Sequence, residues 1–363
     1  MTYFQNYNLN RPAWLLPNRI DEPPIEGLRD LLLRLMQGKN LQREEAKFLL
    51  TRLLQGEATD AQIAAALVAL SIKGETTEEL AGMAEAMREN STKINAIHTD
   101  FIDTAGTGSS RVKTFNVSTA AAFVIAGAGL PVAKHGSRAA TSKSGSADVL
   151  TELGVNVSAS RETSEKCLNE IGICFMFAPL YHASTARVAA VRRELGVHTT
   201  FNLLGPMTNP ANAPFQIMGV WHKDLVAPIA ETLQKLGTKR ALVVHGLDGL
   251  DEITVSAKTS VAEITPKYIK FYDISPEDFG FETVENIESL RGGDASQNAE
   301  IILEVLENKR KDAARSLILM NAAGAIFVGG KAENLIEAAK IATVSLESGA
   351  ALEKLENLKE KTN

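Results

Sequence analysis

Cysteine is nearly absent from this sequence: only Cys167 and Cys174 occur in 363 residues. Two thiols build neither a disulfide framework nor a metal-type spacing, and such usage suits a reducing cytosol. A basic surplus is missing too. The net charge of −6 argues against a general binder of nucleic acid or of an anionic membrane. Long apolar runs are also lacking, since the longest, AAAFVIAGAGLPVA, is too short and glycine-rich to span a bilayer. The stretch MTYFQNYNLNRPAWLLPNRIDEPP lacks the basic-then-apolar order of a signal peptide. The expectation is a cytoplasmic protein with neither nucleic acid nor membrane as partner.

What is present has the balance of a globular protein, with 45% hydrophobic and 23% charged residues. The length leaves room for two domains. Residues 1–25 read as an irregular arm whose Tyr3, Phe4, Tyr7, Trp14 and Leu15 offer apolar anchors for packing on the helices that follow, or across a dimer, rather than in a ligand cleft. From 27 to 91 the pattern predicts four short helices. Gly38 and Gly56 suit C-caps, and Thr59 with Gln62 and Thr76 with Glu79 have capping-box spacing. The alanine-rich AQIAAALVAL fits either a core or a dimer seam. Beyond residue 98, short β-branched runs (LPVAKHG, CFMFAP, FQIMGVW, ALVVHG) alternate with helical stretches, which predicts βα units and a mostly parallel sheet. TSVAEI and YIKFYDI read as an antiparallel pair at its edge. The fold class is therefore α/β: a small helical bundle plus a larger α/β domain.

Carboxylates are distributed unevenly. None occurs from 104 to 147, although the chain is acidic, and this window holds Arg111, Lys113, Lys134, His135, Arg138 and Lys143. A second acid-free window, 171–193, holds His182, Arg187, Arg192 and Arg193. Such bias near strand ends points to an anionic ligand. DTAGTGSSRVKTFNVSTAA is neither a P-loop, lacking the terminal Gly-Lys-Ser/Thr, nor a dinucleotide fingerprint, because Arg111 replaces the third glycine. It nevertheless runs from a strand through a Gly-rich turn to a helix start at Asn116, Ser118 or Thr119, where free N–H groups favour phosphate. KHGSRAATSKSGSADVL adds a second loop of this kind, so two phosphate groups of one molecule can be held. In VVHGLDGLDEI, Asp248, Asp251 and Glu252 follow a buried strand. Carboxylates beside a polyphosphate imply an intervening cation, for which Mg²⁺ is the usual choice.

In this order, KHGSRAATSKSGSADVLTELGV, FAPLYH, VRRELGVHTTFNLLGPMTNPA, GLDEI, PEDFG and LRGGDASQNA strongly resemble the anthranilate phosphoribosyltransferases of tryptophan biosynthesis. The resemblance runs from about residue 27 to the C-terminus. It implies a homodimeric enzyme with an active site in the cleft between a discontinuous helical domain (26–97 with 184–214) and an α/β domain (98–183 with 215–363). The implied reaction joins the amine of anthranilate to C1 of 5-phosphoribosyl 1-diphosphate and releases diphosphate. By resemblance, the donor is held by Gly106, Thr107, Gly108, Ser109, Ser110, Thr114, Asn116, Val117, Ser118 and Thr119. The run Lys134, His135, Gly136, Ser137, Arg138, Ala139, Ala140, Thr141 and Ser142, with Ser146, completes that set. Ser118, Asp251 and Glu252 match the Mg²⁺ ligands. Gly106, His135, Ser137, His182, Arg192 and Pro206 match the acceptor side, and Lys134, His135 and Arg192 are the catalytic candidates.

Two positions depart from the family pattern. Gly106-Thr107-Gly108-Ser109-Ser110 replaces Gly-Thr-Gly-Gly-Asp, which bears on metal handling. Ser137 replaces the asparagine of Lys-His-Gly-Asn, which bears on the acceptor. Alternatives are a sister transferase for another aromatic amine or carboxylate, a nucleoside phosphorylase of related fold, and a non-catalytic nucleic-acid-binding relative. The intact LRGGDASQNA and FNLLGPMTNPA segments disfavour the phosphorylase. The acidic charge and the retained Asp251 and Glu252 disfavour the last.

Overall fold

Four helices open the fold in the computed structural model: α1 (Leu28–Met36), α2 (Arg43–Leu54), α3 (Asp60–Lys73) and α4 (Thr77–Glu89). The structure describes residues 27–108, 110, 112–139, 143–285, 287 and 290–363. The arm 1–25 and the site candidates Ser109, Ala140, Thr141 and Ser142 lie outside the described residues, as does Arg111. Both capping boxes form. The Thr59 hydroxyl accepts from Gln62 N–H at 3.3 Å and the Gln62 amide accepts from Thr59 N–H at 2.9 Å. Thr76 and Glu79 exchange the same pair of bonds. Gly38 and Gly56 turn the chain out of α1 and α2 at φ 72° and 81°, a region that disfavours side chains bearing Cβ.

After β1 (Ile102–Asp103) come α5 (Val117–Gly127), β2 (Val132–Gly136), α6 (Ser146–Glu152), α7 (Arg161–Lys166), β3 (Ile173–Phe177) and the short α8 (Ala178–Tyr181). Two helices then return to the bundle, α9 (Ala186–Leu195) and α10 (Phe201–Leu204). The chain re-enters the sheet as β4 (Phe215–Gly219), α11 (Val226–Lys235), β5 (Arg240–Gly246), β6 (Thr259–Ile264) and β7 (Ile269–Ile274). It ends in α12 (Ala295–Leu306), α13 (Ala313–Val328), α14 (Leu335–Glu347) and α15 (Ala350–Thr362).

The strands form one sheet in the order β3-β2-β1-β4-β5-β6-β7. The first five run parallel, and β6 and β7 complete the expected antiparallel edge. Side chains alternate between faces with period two, so neighbours in one strand enter different cores. Ile217, Leu242 and Val244 pack with α5, α13, α14 and α15 on one face. Met218, Ala241 and Val243 join α11 and the helical bundle on the other. Val188, Val191, Phe201 and Leu204 of α9 and α10 belong to that second core, with α9 against α2 and α3 and α10 against α4.

Strand order reverses at β1, whose neighbours β2 and β4 lead away in opposite directions. Open α/β sheets bind ligands at such a switch point, beyond the carboxyl ends of the strands. The loops after β1, β2, β4 and β5 all meet there.

Candidate active site

A cleft of about 570 Å³ occupies the switch point, and every described residue that the family resemblance assigns to the site lines it. Its floor depends on backbone contact between loops. Thr107 N–H donates to Gly219 O at 2.9 Å, and the Thr107 hydroxyl accepts from Trp221 N–H at 3.2 Å. A Cβ on Gly106 would lie 2.9 Å from Gly219 O, and one on Gly219 would run into the Asp251 carbonyl. Hydrogen at both positions lets the β1, β4 and β5 loops interlock.

The donor side is built from β1, β2 and α5. Asp103 is buried, and its Oδ1 accepts from Ala105 N–H at 3.1 Å and His135 N–H at 3.2 Å. One carboxylate thus ties the Gly-rich loop to β2. Lys134 is also buried, and its ammonium donates to Thr104 Oγ1 at 3.0 Å and reaches Ser118 Oγ at 3.4 Å. Burial lowers its pKa, against the pull of Asp103 and Glu252. A cation with hydroxyls for neighbours in a cleft is suited to meet an anion. Ser118 and Thr119 occupy the first turn of α5, whose N-terminus opens on the cleft. Thr114 and Asn116 lead into that turn, and Ser110, whose hydroxyl donates to Val112 O at 2.7 Å, lies further back.

His135, His182, Ser137, Arg192 and Pro206 also line the cleft. The two imidazoles lie 5.1 Å apart, centre to centre. Burial first, then the other ring, depresses His135 to about 3, while burial and Lys93 depress His182 to about 4. Both are neutral near pH 7. His135 Nε2 is buried with no hydrogen-bond partner among the described residues. Arg192 at the C-terminal turn of α9 donates to Asn202 Oδ1 at 3.2 Å, and its guanidinium lies 5.2 Å from the Phe201 ring centre. Its Nε has no partner among the described residues. An oriented guanidinium of this kind matches a carboxylate.

Asp251 and Glu252 close the cleft at the β5 loop. Glu252 is raised to about 8, by burial above all and then by Asp251. A divalent cation beside the pair would offset both causes, so these residues fit a metal ion, with Ser118 as a neutral oxygen ligand. Among the described residues no group of three or more His, Cys, Asp or Glu side chains converges on a point. Oxygens from a bound phosphate compound would have to complete the shell.

Some charges in the acid-free windows serve the scaffold instead. Arg187 pairs with Asp60 of α3 at 2.7 Å, and Arg138 with Asp148 at 2.8 Å. Asp148 also accepts from Ala139 and Gly145 N–H, pinning the basic loop on which Ser137 and Ser146 sit. Lys143 lines an adjoining hollow. Asp248 is a turn residue, bonded to Thr254 and Ser256 at 2.5 Å. Sequence reasoning missed Thr104, Asp103, Phe201 and Asn202. Their signal was position alone: flanking the Gly-rich turn, or following the basic pair of α9.

The helical-bundle domain of a glycosyl transferase family matches residues 29–91, and the a/b domain of that family matches 98–352. Anthranilate phosphoribosyltransferase of Thermoanaerobacter sp. (strain X514) is 44% identical over 333 residues, covering 92% of this chain and 98% of that protein. The crystal structure of the Thermus thermophilus anthranilate phosphoribosyltransferase superposes with a TM-score of 0.87 at 38% identity, over 92% of this chain and 99% of that one. The Saccharomyces cerevisiae enzyme in complex with PRPP and Mg gives a TM-score of 0.84 at 28% identity, covering 92% and 97%. In complex with 4-fluoroanthranilate it gives 0.82 at 27% identity, with the same coverage. The chain belongs to the anthranilate phosphoribosyltransferase family.

Proposed function

We propose that this chain transfers the phosphoribosyl group of 5-phosphoribosyl 1-diphosphate (PRPP) to the amine of anthranilate, releasing diphosphate. The observation that carries the reading is one cleft with two unlike groups of residues. Lys134, the α5 N-terminus and two carboxylates line the same cleft as a neutral imidazole pair and an oriented guanidinium. The first group suits a diphosphate and a cation, the second an aromatic carboxylate.

The bond between ribose C1 and the diphosphate oxygen breaks while the bond from C1 to the amine nitrogen forms, and the amine gives up one proton to water. Negative charge builds on the departing diphosphate. N–H groups at the start of α5 and Lys134 stabilise it. Ser118, Asp251 and Glu252 would hold Mg²⁺, which when bound would supply further positive charge. Gly108, Ser110, Thr114 and Ser146 add backbone and hydroxyl contacts to the donor. Arg192 holds the acceptor carboxylate bidentately, and His135, His182 and Pro206 shape its ring site. An aromatic amine is nucleophilic without a dedicated base, so positioning carries the rest.

Residues 26–97 with 184–214 form the helical domain and 98–183 with 215–363 the α/β domain. The packing of α9 and α10 on α2, α3 and α4 supports that division. The working unit is a homodimer, supported by the exposed Leu33 and Met36 on α1 and Ile72 on α3. Cys167 and Cys174 are buried free thiols, in keeping with a cytoplasmic setting. No helix among the described residues is long and apolar enough to cross a membrane.

Diphosphate release from PRPP, measured with and without anthranilate, tests the reading. Release should require both anthranilate and Mg²⁺ and should vanish with EDTA. The double variant Asp251→Ala, Glu252→Ala should fold and lose turnover. Release only with a different aromatic amine would transfer the reading to a sister transferase. Full activity of the double variant would overturn the metal assignment.

A further inference from the structure

Asn116 is the N-cap residue of α5, yet its side chain makes no capping bond. Thr59, Thr76, Ser160, Asp294 and Asn334 behave differently: each accepts from an N–H in the first turn of its helix. All five have extended backbone, with ψ from 161° to 171° in four of them and −177° in Asp294. Asparagine is among the best N-cap residues, so its idleness here needs a cause.

The cause lies 182 residues further along the chain. Asn298, in the first turn of α12 and 2% exposed, donates from Nδ2 to Asn116 Oδ1 at 3.1 Å. Its own Oδ1 accepts from Gly293 N–H at 2.7 Å, which fixes the orientation of the carboxamide. Ser144 completes the hold: its hydroxyl donates to Asn116 Oδ1 at 3.1 Å, and its carbonyl accepts from Asn116 Nδ2 at 3.4 Å. With its side chain drawn aside, Asn116 has φ −75° and ψ 69°, and Val117 N–H donates to Phe115 O at 2.8 Å. That is an inverse γ-turn, not the usual N-cap. A capping side chain would compete with an anion for the first-turn N–H groups.

We propose that Asn298 is a positioning residue for the transfer reaction. It holds the Asn116 side chain off the α5 N-terminus, so that the helix start meets diphosphate instead of its own cap. This rests on the donor reading above, and it gives a role to the LRGGDASQNA segment, which touches neither the imidazole pair nor the paired carboxylates. Asn298 acts through Asn116, without contact to substrate.

The test is calorimetric titration with inorganic diphosphate and Mg²⁺ on the full chain, with thermal melts alongside. Asn298→Ala should weaken diphosphate binding about threefold to tenfold, the range of one ordinary hydrogen bond. It should leave the anthranilate KM unchanged. In an Asn116→Ala background the same substitution should produce no further loss in diphosphate affinity, because the residue it acts through is gone. The melting temperature should fall in both backgrounds, since Gly293 N–H loses its acceptor in each. Equal weakening in both backgrounds, or unchanged affinity in the single variant, overturns the proposal. If Asn298→Ala does not fold, Asn298→Ser is carried through the same cycle under the same criteria. A wild type that binds no diphosphate overturns this proposal together with the donor reading. One that binds diphosphate but does not use anthranilate overturns the acceptor reading alone.

Discussion

His135 and His182 are depressed to about 3 and about 4, against an ordinary value of 6.5. The unfolded chain therefore binds protons at these sites before the folded one does. Their contribution to stability is complete above pH 6.5 and is lost as pH falls toward 4 and 3. For His182 the loss between pH 7 and pH 4 is about 3 kcal/mol. Denaturant melts of His182→Gln should show a shallower acid decline than wild type, and identical pH profiles would refute the neutral pair. Ser137 poses a different problem in the same cleft. A short hydroxyl replaces the longer carboxamide usual in the family, so on the proposed acceptor reading one contact would be lost or left to water. Ser137→Asn should lower the anthranilate KM by about threefold to tenfold and leave the PRPP KM alone. A rise in both would show that asparagine is crowded here.

At the scale of elements, the site is a set of loops held by backbone contacts, and Gly219 is its tightest point. Alanine there would drive Cβ into the Asp251 carbonyl, which is main chain and cannot rotate away. Gly219→Ala should destabilise the fold by about 1–3 kcal/mol and abolish Mg²⁺-dependent turnover, as melts and a diphosphate assay would show. Wild-type activity in that variant would mean that the β4 and β5 loops separate freely. The helices of the bundle were legible in the sequence because capping boxes and C-cap glycines are local. Thr59 and Gln62 decide their own bond. The two anion loops were legible for a similar reason, as glycine, hydroxyl and basic residues cluster within each. Strand order was not, since β1 is only Ile102–Asp103 and nothing in two residues says which strands flank it. Asp103 and Asn298 were equally hidden. Each acts on a residue far along the chain, His135 and Asn116, and no local pattern marks such a pairing.

For the whole molecule, the question is what covers the outer face of the bundle. Leu33 and Met36 on α1 are 43% and 51% exposed, and Ile72 on α3 is 73% exposed, although α1 and α3 pack on each other. Large apolar side chains exposed on adjoining helices mark an association surface when they form a contiguous patch. A stable dimer buries roughly 800 Å² per partner. The cleft, in contrast, is lined by none of Leu33, Met36 and Ile72, and its lining includes residues of the return helices α9 and α10. Assembly and chemistry should therefore separate. Sedimentation equilibrium should give twice the chain mass of 39.1 kDa. Met36→Glu with Ile72→Glu should halve that mass, because two carboxylates per chain would have to be desolvated in the interface. The monomer should melt earlier while retaining most of its turnover per chain. A wild type already monomeric at micromolar concentration would remove the homodimer. A charged variant that stays dimeric would move the interface to another face. Loss of turnover in step with loss of mass would show instead that the bundle depends on its second copy to hold α9, and with it Arg192, against the cleft.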